Sequence, residues 1–284
     1  MAPLGLSDAP QELIDEIIDH SSGEKRTLIA CSLISRAWVY RTRKYLFSTL
    51  TLTDKALPIW CGTVVAPPTA TGSKAQPGPS TSSSYASHWL SSYVTSLQLV
   101  PKYSPTSQHD LCADELVRAK SHLSAFTHLE SITLTAVSFF TFDDASLEAC
   151  FGSLARTVRE LKLLVCLLDE ERLFGLLRLF TRLESFEVHG NGWTRNSSAA
   201  MDKGSEKKWP TLRGSFVASE TTDSNDGLLE SLATAETEYH TITLGWNHPS
   251  TFAKFNALFA KCKNHLKTLS LTAPERLIWH RGKP

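Results

Sequence analysis

The chain has 284 residues, 42% hydrophobic and 20% charged, and its 29 Lys and Arg balance 29 Asp and Glu. That apolar share is ample for a folded core in one elongated domain or two compact ones. Zero net charge argues against a dedicated nucleic-acid binder, whose affinity comes mainly from basic side chains on phosphates.

The first ten residues, MAPLGLSDAP, lack the basic region and apolar stretch of a secretory signal. No apolar run reaches the ~18 residues of a membrane helix. The six cysteines, Cys31, Cys61, Cys112, Cys150, Cys166 and Cys262, are never closer than 16 positions, so no Cys-x-x-Cys exists for zinc or a redox dithiol. Several sit among apolar neighbours, as buried thiols of a reducing compartment do. The expected location is cytoplasmic, nuclear or both, with neither membrane nor nucleic acid as partner.

A first helix is expected over residues 11–20. Ser7 or Asp8 can cap it, Pro10 suits its start, and Glu12 favours the positive end of its dipole. Leu13, Ile14, Ile17 and Ile18 share one face, with Asp15, Glu16 and Asp19 opposite. Ser21-Ser22-Gly23 ends it. A second helix is expected over about 27–35, with Leu28, Cys31 and Leu33 or Ile34 inward, and a third over about 37–47, with Trp38, Leu46 and Phe47 apolar. Residues 8–24 hold six acids and no Lys or Arg, whereas 25–44 hold six bases and no acid. Complementary faces within one small helical unit account for this split.

Residues 51–87 read as a linker. Within it, 19 of the 22 positions from 66 to 87 are Ala, Pro, Gly, Ser or Thr, too polar to offset the entropy of ordering them, so a flexible insertion is expected.

From residue 88 a repeat dominates. Val94-x-x-Leu97-x-Leu99, Leu129-x-x-Ile132-x-Leu134, Val158-x-x-Leu161-x-Leu163, Leu183-x-x-Phe186-x-Val188, Tyr239-x-x-Ile242-x-Leu244 and Leu266-x-x-Leu269-x-Leu271 share one spacing. Their central residues are 35, 29, 25, 56 and 27 positions apart, and the step of 56 accommodates a degenerate unit near 212–217. A step of about 20–29 residues with this strand is the leucine-rich-repeat signature. Each unit makes a short strand and a return segment, and only stacking buries its apolar side. Residues 173–183 and 252–262 read as return helices. Ordinary α/β alternation at similar spacing is the competing explanation.

Motifs for catalysis are missing: no GxSxG, HExxH, GxxxxGK[ST] or GxGxxG occurs. Asp143-Asp144 has no His or third acid at ligand spacing and reads as a turn or helix cap. Gly190-Asn191-Gly192-Trp193 reads as turn chemistry. His240 and His248 read as structural, and Asn196-Ser197-Ser198 as an exposed loop. The expectation is a binding protein, not an enzyme, with neither cofactor nor metal.

The segment from 9 to 52, APQELIDEIIDHSSGEKRTLIACSLISRAWVYRTRKYLFSTLTL, resembles an F-box, and is similar to those of the large families of mushroom-forming fungi. Ala9-Pro10-Gln11-Glu12-Leu13 with Ile17 and Ile18 matches the first half of the family pattern. Ile34-Ser35-Arg36-Ala37-Trp38 matches the second, and Arg43 with Leu46-Phe47 its closing turn. Ala9 stands where the family has Leu, Ser35 where it often has Cys, and His20-Ser21-Ser22 lacks the Leu that ends the apolar face. One such lost side chain removes roughly 2–3 kcal/mol of burial.

The resemblance implies an α/β chain with a three-helix F-box over 1–50, followed by an irregular leucine-rich-repeat solenoid with a short parallel sheet over 88–284. It implies the substrate-recognition subunit of a Skp–cullin–F-box ubiquitin ligase. The partners would be a Skp-type adaptor, through it a cullin, and a protein substrate that the sequence does not name. By match to the motif, Pro10, Leu13, Ile17, Ile34 and Trp38 would touch the adaptor, with packing inside the helical unit as the alternative for each. Substrate contact would fall on the outward, alternate positions of the strands, above all Gln98, Thr133, Glu160, Lys162, Glu187 and Thr243. The alternative is a repeat scaffold with a vestigial F-box, unconnected with ubiquitination. No polar closing unit is recognisable after residue 271, so a truncated chain or an exposed final repeat is expected.

Overall fold

The computed structural model describes residues 9–53, 91–101, 116–117, 123–190, 192–193, 212–219, 228–229, 232–233, 237–245 and 251–272. The insertion expected at 66–87, the loop at 196–198, His248, Ser7, Asp8, Cys61 and Cys112 lie outside them.

Three helices come first, α1 (Gln11–His20), α2 (Lys25–Ile34) and α3 (Arg36–Leu46). Their core is small: Ile14, Ile18, Leu28, Cys31 and Trp38 are buried, with Ala9, Tyr45 and Leu46 packed against them. The acid–base split of the sequence meets here. Arg41 donates to both oxygens of Asp19, from Nε at 2.8 Å and from an Nη at 2.5 Å, and lies 3.6 Å from Asp15. The Tyr45 hydroxyl donates to the same Asp19 at 2.8 Å.

Among the described residues ten strands follow: β1 (Thr49–Thr53), β2 (Ser96–Val100), β3 (Ser131–Thr135), β4 (Glu160–Leu164), β5 (Leu167–Leu168), β6 (Ser185–His189), β7 (Gly192–Trp193), β8 (Leu212–Ser219), β9 (Thr237–Gly245) and β10 (Thr268–Thr272). Eight of them form one open sheet in the order β1-β2-β3-β4-β6-β8-β9-β10, and every pairing in it is parallel. Helices α4 (Asp144–Phe151), α5 (Glu170–Leu179) and α6 (Thr251–Cys262) lie between strands in the chain, so the protein is α/β.

The spacing of the repeats becomes register. The central apolar residues align as Leu50–Leu97–Ile132–Leu161–Phe186–Phe216–Ile242–Leu269, and the next inward positions as Leu52–Leu99–Leu134–Leu163–Val188–Ala218–Leu244–Leu271. Alternate residues of a strand share a face, so two apolar rows per strand build one continuous core. That core runs from Leu52 to Cys262 and takes in Leu147 and Phe151 of α4, Leu173 and Leu176 of α5 and Phe255 and Leu258 of α6. The degenerate unit near 212–217 is strand β8, and Phe216 stacks between Phe186 at 5.8 Å and Tyr239 at 5.4 Å.

One expectation is corrected. Residues 51–53 are not linker: they complete β1, whose Leu52 is buried in the sheet core, so a boundary at 50 cuts a strand. The helical unit thus runs into the sheet with only Phe47 and Ser48 between. The Ser48 carbonyl accepts from the N–H groups of Thr95 and Ser96, both at 2.9 Å, and Tyr40 meets Tyr93 edge to face at 5.8 Å.

Two backbone devices shape the sheet. Ala136, Val165 and Gly190, each the first residue after β3, β4 and β6, have φ of 49°, 55° and 58°. This left-handed step turns the chain into a second narrow ladder, where Ser138 bridges Leu167 and β5 pairs with β7. The other device is a bulge. Gly214 faces Tyr239 and Ser215 faces Thr241, leaving His240 as the extra residue of β9. Gly214 has φ 89°, and a Cβ there would lie 1.9 Å from the Glu184 carbonyl oxygen, so only glycine fits.

Candidate protein-binding surfaces

The helical unit divides the apolar stripe of α1 in two. Ile14 and Ile18 face α3 and are buried, whereas Leu13 and Ile17, one turn apart, are 52% and 46% exposed. On α2, Leu28 and Cys31 are inward, while Ile29, Leu33 and Ile34 are exposed, which corrects the expectation of Leu33 or Ile34 in the core. Pro10 is exposed at the head of α1, its carbonyl accepting from the N–H groups of Leu13 and Ile14.

Four of the five adaptor-contact candidates, Pro10, Leu13, Ile17 and Ile34, are therefore open to solvent. Trp38 is not. It is 3% exposed, packed in the helical core, and its indole N–H has no acceptor among the described residues. Beside it, the buried Thr42 hydroxyl donates to the Trp38 carbonyl at 2.8 Å. Trp38 is a core residue in this packing. Ile29 and Leu33 were missed as exposed apolar groups, because their spacing matches core positions as well as surface ones.

Beneath these helices the charge network is tight. Hydrogen bonds from Arg41 and then Tyr45 hold the Asp19 carboxyl down to about 2. Asp19 in turn raises the Arg41 guanidinium and the Tyr45 phenol.

The second surface is the outward face of the sheet. Register places Thr51, Gln98, Thr133, Lys162, Glu187, Val217, Thr243 and Ser270 in one row, so five of the six substrate-contact candidates line up across the sheet. Glu160 belongs to the adjacent row, between Ser131 and Ser185. Most of these rows carry hydroxyls: Thr51 donates to Gln98 at 3.3 Å, and Ser215 to Ser185 at 2.8 Å. Thr133 is buried, the least accessible of the six.

Charge concentrates at the middle. Lys162 Nζ lies 2.7 Å from Glu187, and His189 Nε2 contacts the other Glu187 oxygen. Partial burial pulls the Glu187 pKa up, but the bonds from Lys162 and His189 outweigh it and hold the carboxyl below its ordinary range. Glu160 is exposed beside them. His189 and Val217 were not singled out from the sequence. His189 lies one alternation beyond the repeat core, and Val217 falls in the degenerate unit.

Other candidate groups are structural. Asp143 caps α4, its carboxylate accepting from the Ser146 N–H at 2.7 Å, and Asp169 caps α5 through the Arg172 N–H at 2.8 Å. Gly190 supplies a turn, and Gly192 with Trp193 the short strand β7. His240 is the exposed bulge residue. Cys31, Cys150, Cys166 and Cys262 are buried. Among the described residues no group of three His, Cys, Asp or Glu is placed to hold a metal, and no helix is long and apolar enough to cross a membrane. No protein-family model matches the chain, and no curated protein matches it significantly.

Proposed function

We propose that the chain is an F-box protein with leucine-rich repeats, acting as the substrate-recognition subunit of a Skp–cullin–F-box ubiquitin ligase. Pro10, Leu13, Ile17 and Ile34 dock a Skp-type adaptor, and the outward rows of the sheet hold a protein target. The observation that carries this reading is the split stripe of α1. Ile14 and Ile18 already complete the helical core, yet Leu13 and Ile17 remain half exposed beside them. Apolar side chains held out on a folded unit favour a partner.

The mechanism is proximity. Holding the target near a ubiquitin-charged conjugating enzyme, through the adaptor and its cullin, raises the effective concentration of target lysines. The short passage from α3 into β1, with the Ser48 carbonyl bonded to β2, favours a fixed distance between the docking helices and the target face.

The test is a pull-down of the purified chain with a Skp-type adaptor, beside a Leu13→Asp/Ile17→Asp variant. Both side chains are exposed, so the variant should fold, with an unchanged far-ultraviolet dichroism spectrum. Binding by the parent chain and its loss in the variant are expected. A folded parent chain that ignores the adaptor would overturn the proposal.

A further inference from the structure

The two edges of the sheet end differently. At one edge, Leu52 of β1 is buried in the sheet core. At the other, Leu269 and Leu271 of β10 extend the two apolar rows but are 44% and 43% exposed, although their neighbours Ile242 and Leu244 are fully buried. Among the described residues no strand lies on the far side of β10. Apolar and hydroxyl residues alternate along it, Thr-Leu-Ser-Leu-Thr, the pattern that accepts a further strand.

This edge is also the basic end of a neutral molecule. From 239 to 272 the sequence holds Lys254, Lys261, Lys263 and Lys267 and no Asp or Glu. Lys261, Lys263, His265 and Lys267 are all exposed around the turn from α6 into β10. The acid nearest in sequence before this stretch, Glu238, is paired with Arg213 at 2.9 Å. Basic charge and open apolar rows therefore coincide at this edge.

We propose that the β10 edge docks an extended, acidic segment of a partner protein, added as a ninth strand. Alternate apolar side chains of that segment cover Leu269 and Leu271, and its acidic residues lie beside Lys263 and Lys267. This edge lies apart from the helical unit and is covered through its inward apolar rows, and it stands whether or not the chain serves a ubiquitin ligase.

The test uses the full chain and a fluorescent peptide in which Thr-Leu-Thr-Leu-Thr is flanked by Asp-Glu at both ends, read by anisotropy. A second peptide carries Lys-Lys in place of each Asp-Glu. Saturable binding of the acidic peptide is expected, weakened by added salt and by about tenfold in Lys263→Glu/Lys267→Glu. That variant should take up the basic peptide instead, a gain that misfolding does not produce. Leu269→Thr, which keeps strand propensity, should weaken both complexes.

Three results would overturn the proposal. The first is no saturable binding of the acidic peptide up to about 1 mM. The second is equal binding of the two peptides. The third is concentration-dependent dimerisation of the parent chain, lost in Leu269→Thr, which would make a second copy the occupant.

Discussion

Val165 holds a backbone conformation that β-branched side chains avoid. Its φ of 55° matches those of Ala136 and Gly190 at the same step of neighbouring units, and its side chain is exposed, so nothing in the core requires valine. The left-handed region costs a non-glycine residue roughly 1–2 kcal/mol. Val165→Gly should therefore raise stability by about 1 kcal/mol, seen as a higher denaturant midpoint with unchanged slope.

Asp19 carries the opposite lesson, a residue tuned by its neighbours. Its folded pKa of about 2 lies below the unfolded value of about 3.9, so the folded state holds the charged form more tightly. This contribution is present above pH 4 and is lost as pH falls towards 2. In Asp19→Asn the helical unit should be weaker at neutral pH, and its unfolding midpoint should lose that acid-side decline. A variant whose acid profile matches the parent's would refute the assignment.

At the scale of elements, β8 depends on one glycine. Gly214 opens the bulge against β9 and lets the Ser215 N–H reach the Glu184 carbonyl at 2.8 Å. A side chain there collides with backbone rather than with a movable group, and the φ is unfavourable as well. Gly214→Ala should cost about 2–4 kcal/mol by denaturation, far more than an alanine at exposed Gly23, where a Cβ meets nothing within 4 Å. The helices show a milder dependence on their caps. Asp143 and Asp169 each satisfy an N–H at the first turn of α4 and α5, where the chain has just left a strand or 3-10 turn.

At the scale of the whole molecule, the described residues form two cores. Ile18 and Trp38 belong to the helical one, Phe216 and Tyr239 to the sheet, and among the described residues no buried one is shared between them. Phe216 stacks on both Phe186 and Tyr239, so Phe216→Ala should open a cavity and cost about 3–5 kcal/mol. Ile18→Ala, in the smaller core, should abolish the adaptor binding we propose while the sheet still unfolds at the parent midpoint. Hydrogen exchange of the β3 and β4 amides measures this directly, and faster exchange there in Ile18→Ala would show that the cores are coupled.

Much of this architecture is legible in the amino-acid order because a strand repeats every two residues. Leu97 and Leu99, or Ile132 and Leu134, must point the same way, and Gln98 or Thr133 the other, wherever the strand lies. The recurring spacing then aligns the units, and even the degenerate one at β8 is announced by the doubled step. Coverage is not legible, because it depends on what packs across the chain. Leu13 and Ile14 are equally apolar neighbours, and α3 buries one of them. Leu52 and Leu271 occupy equivalent rows at opposite edges of the sheet; one is buried and the other exposed. Trp38 lies in the segment that resembles the F-box pattern yet is buried in the helical core, and Val165 takes a glycine's conformation because the chain turns there from β4 into the ladder of β5. Periodicity assigns each side chain its face, and the neighbours that fold against that face decide whether water reaches it.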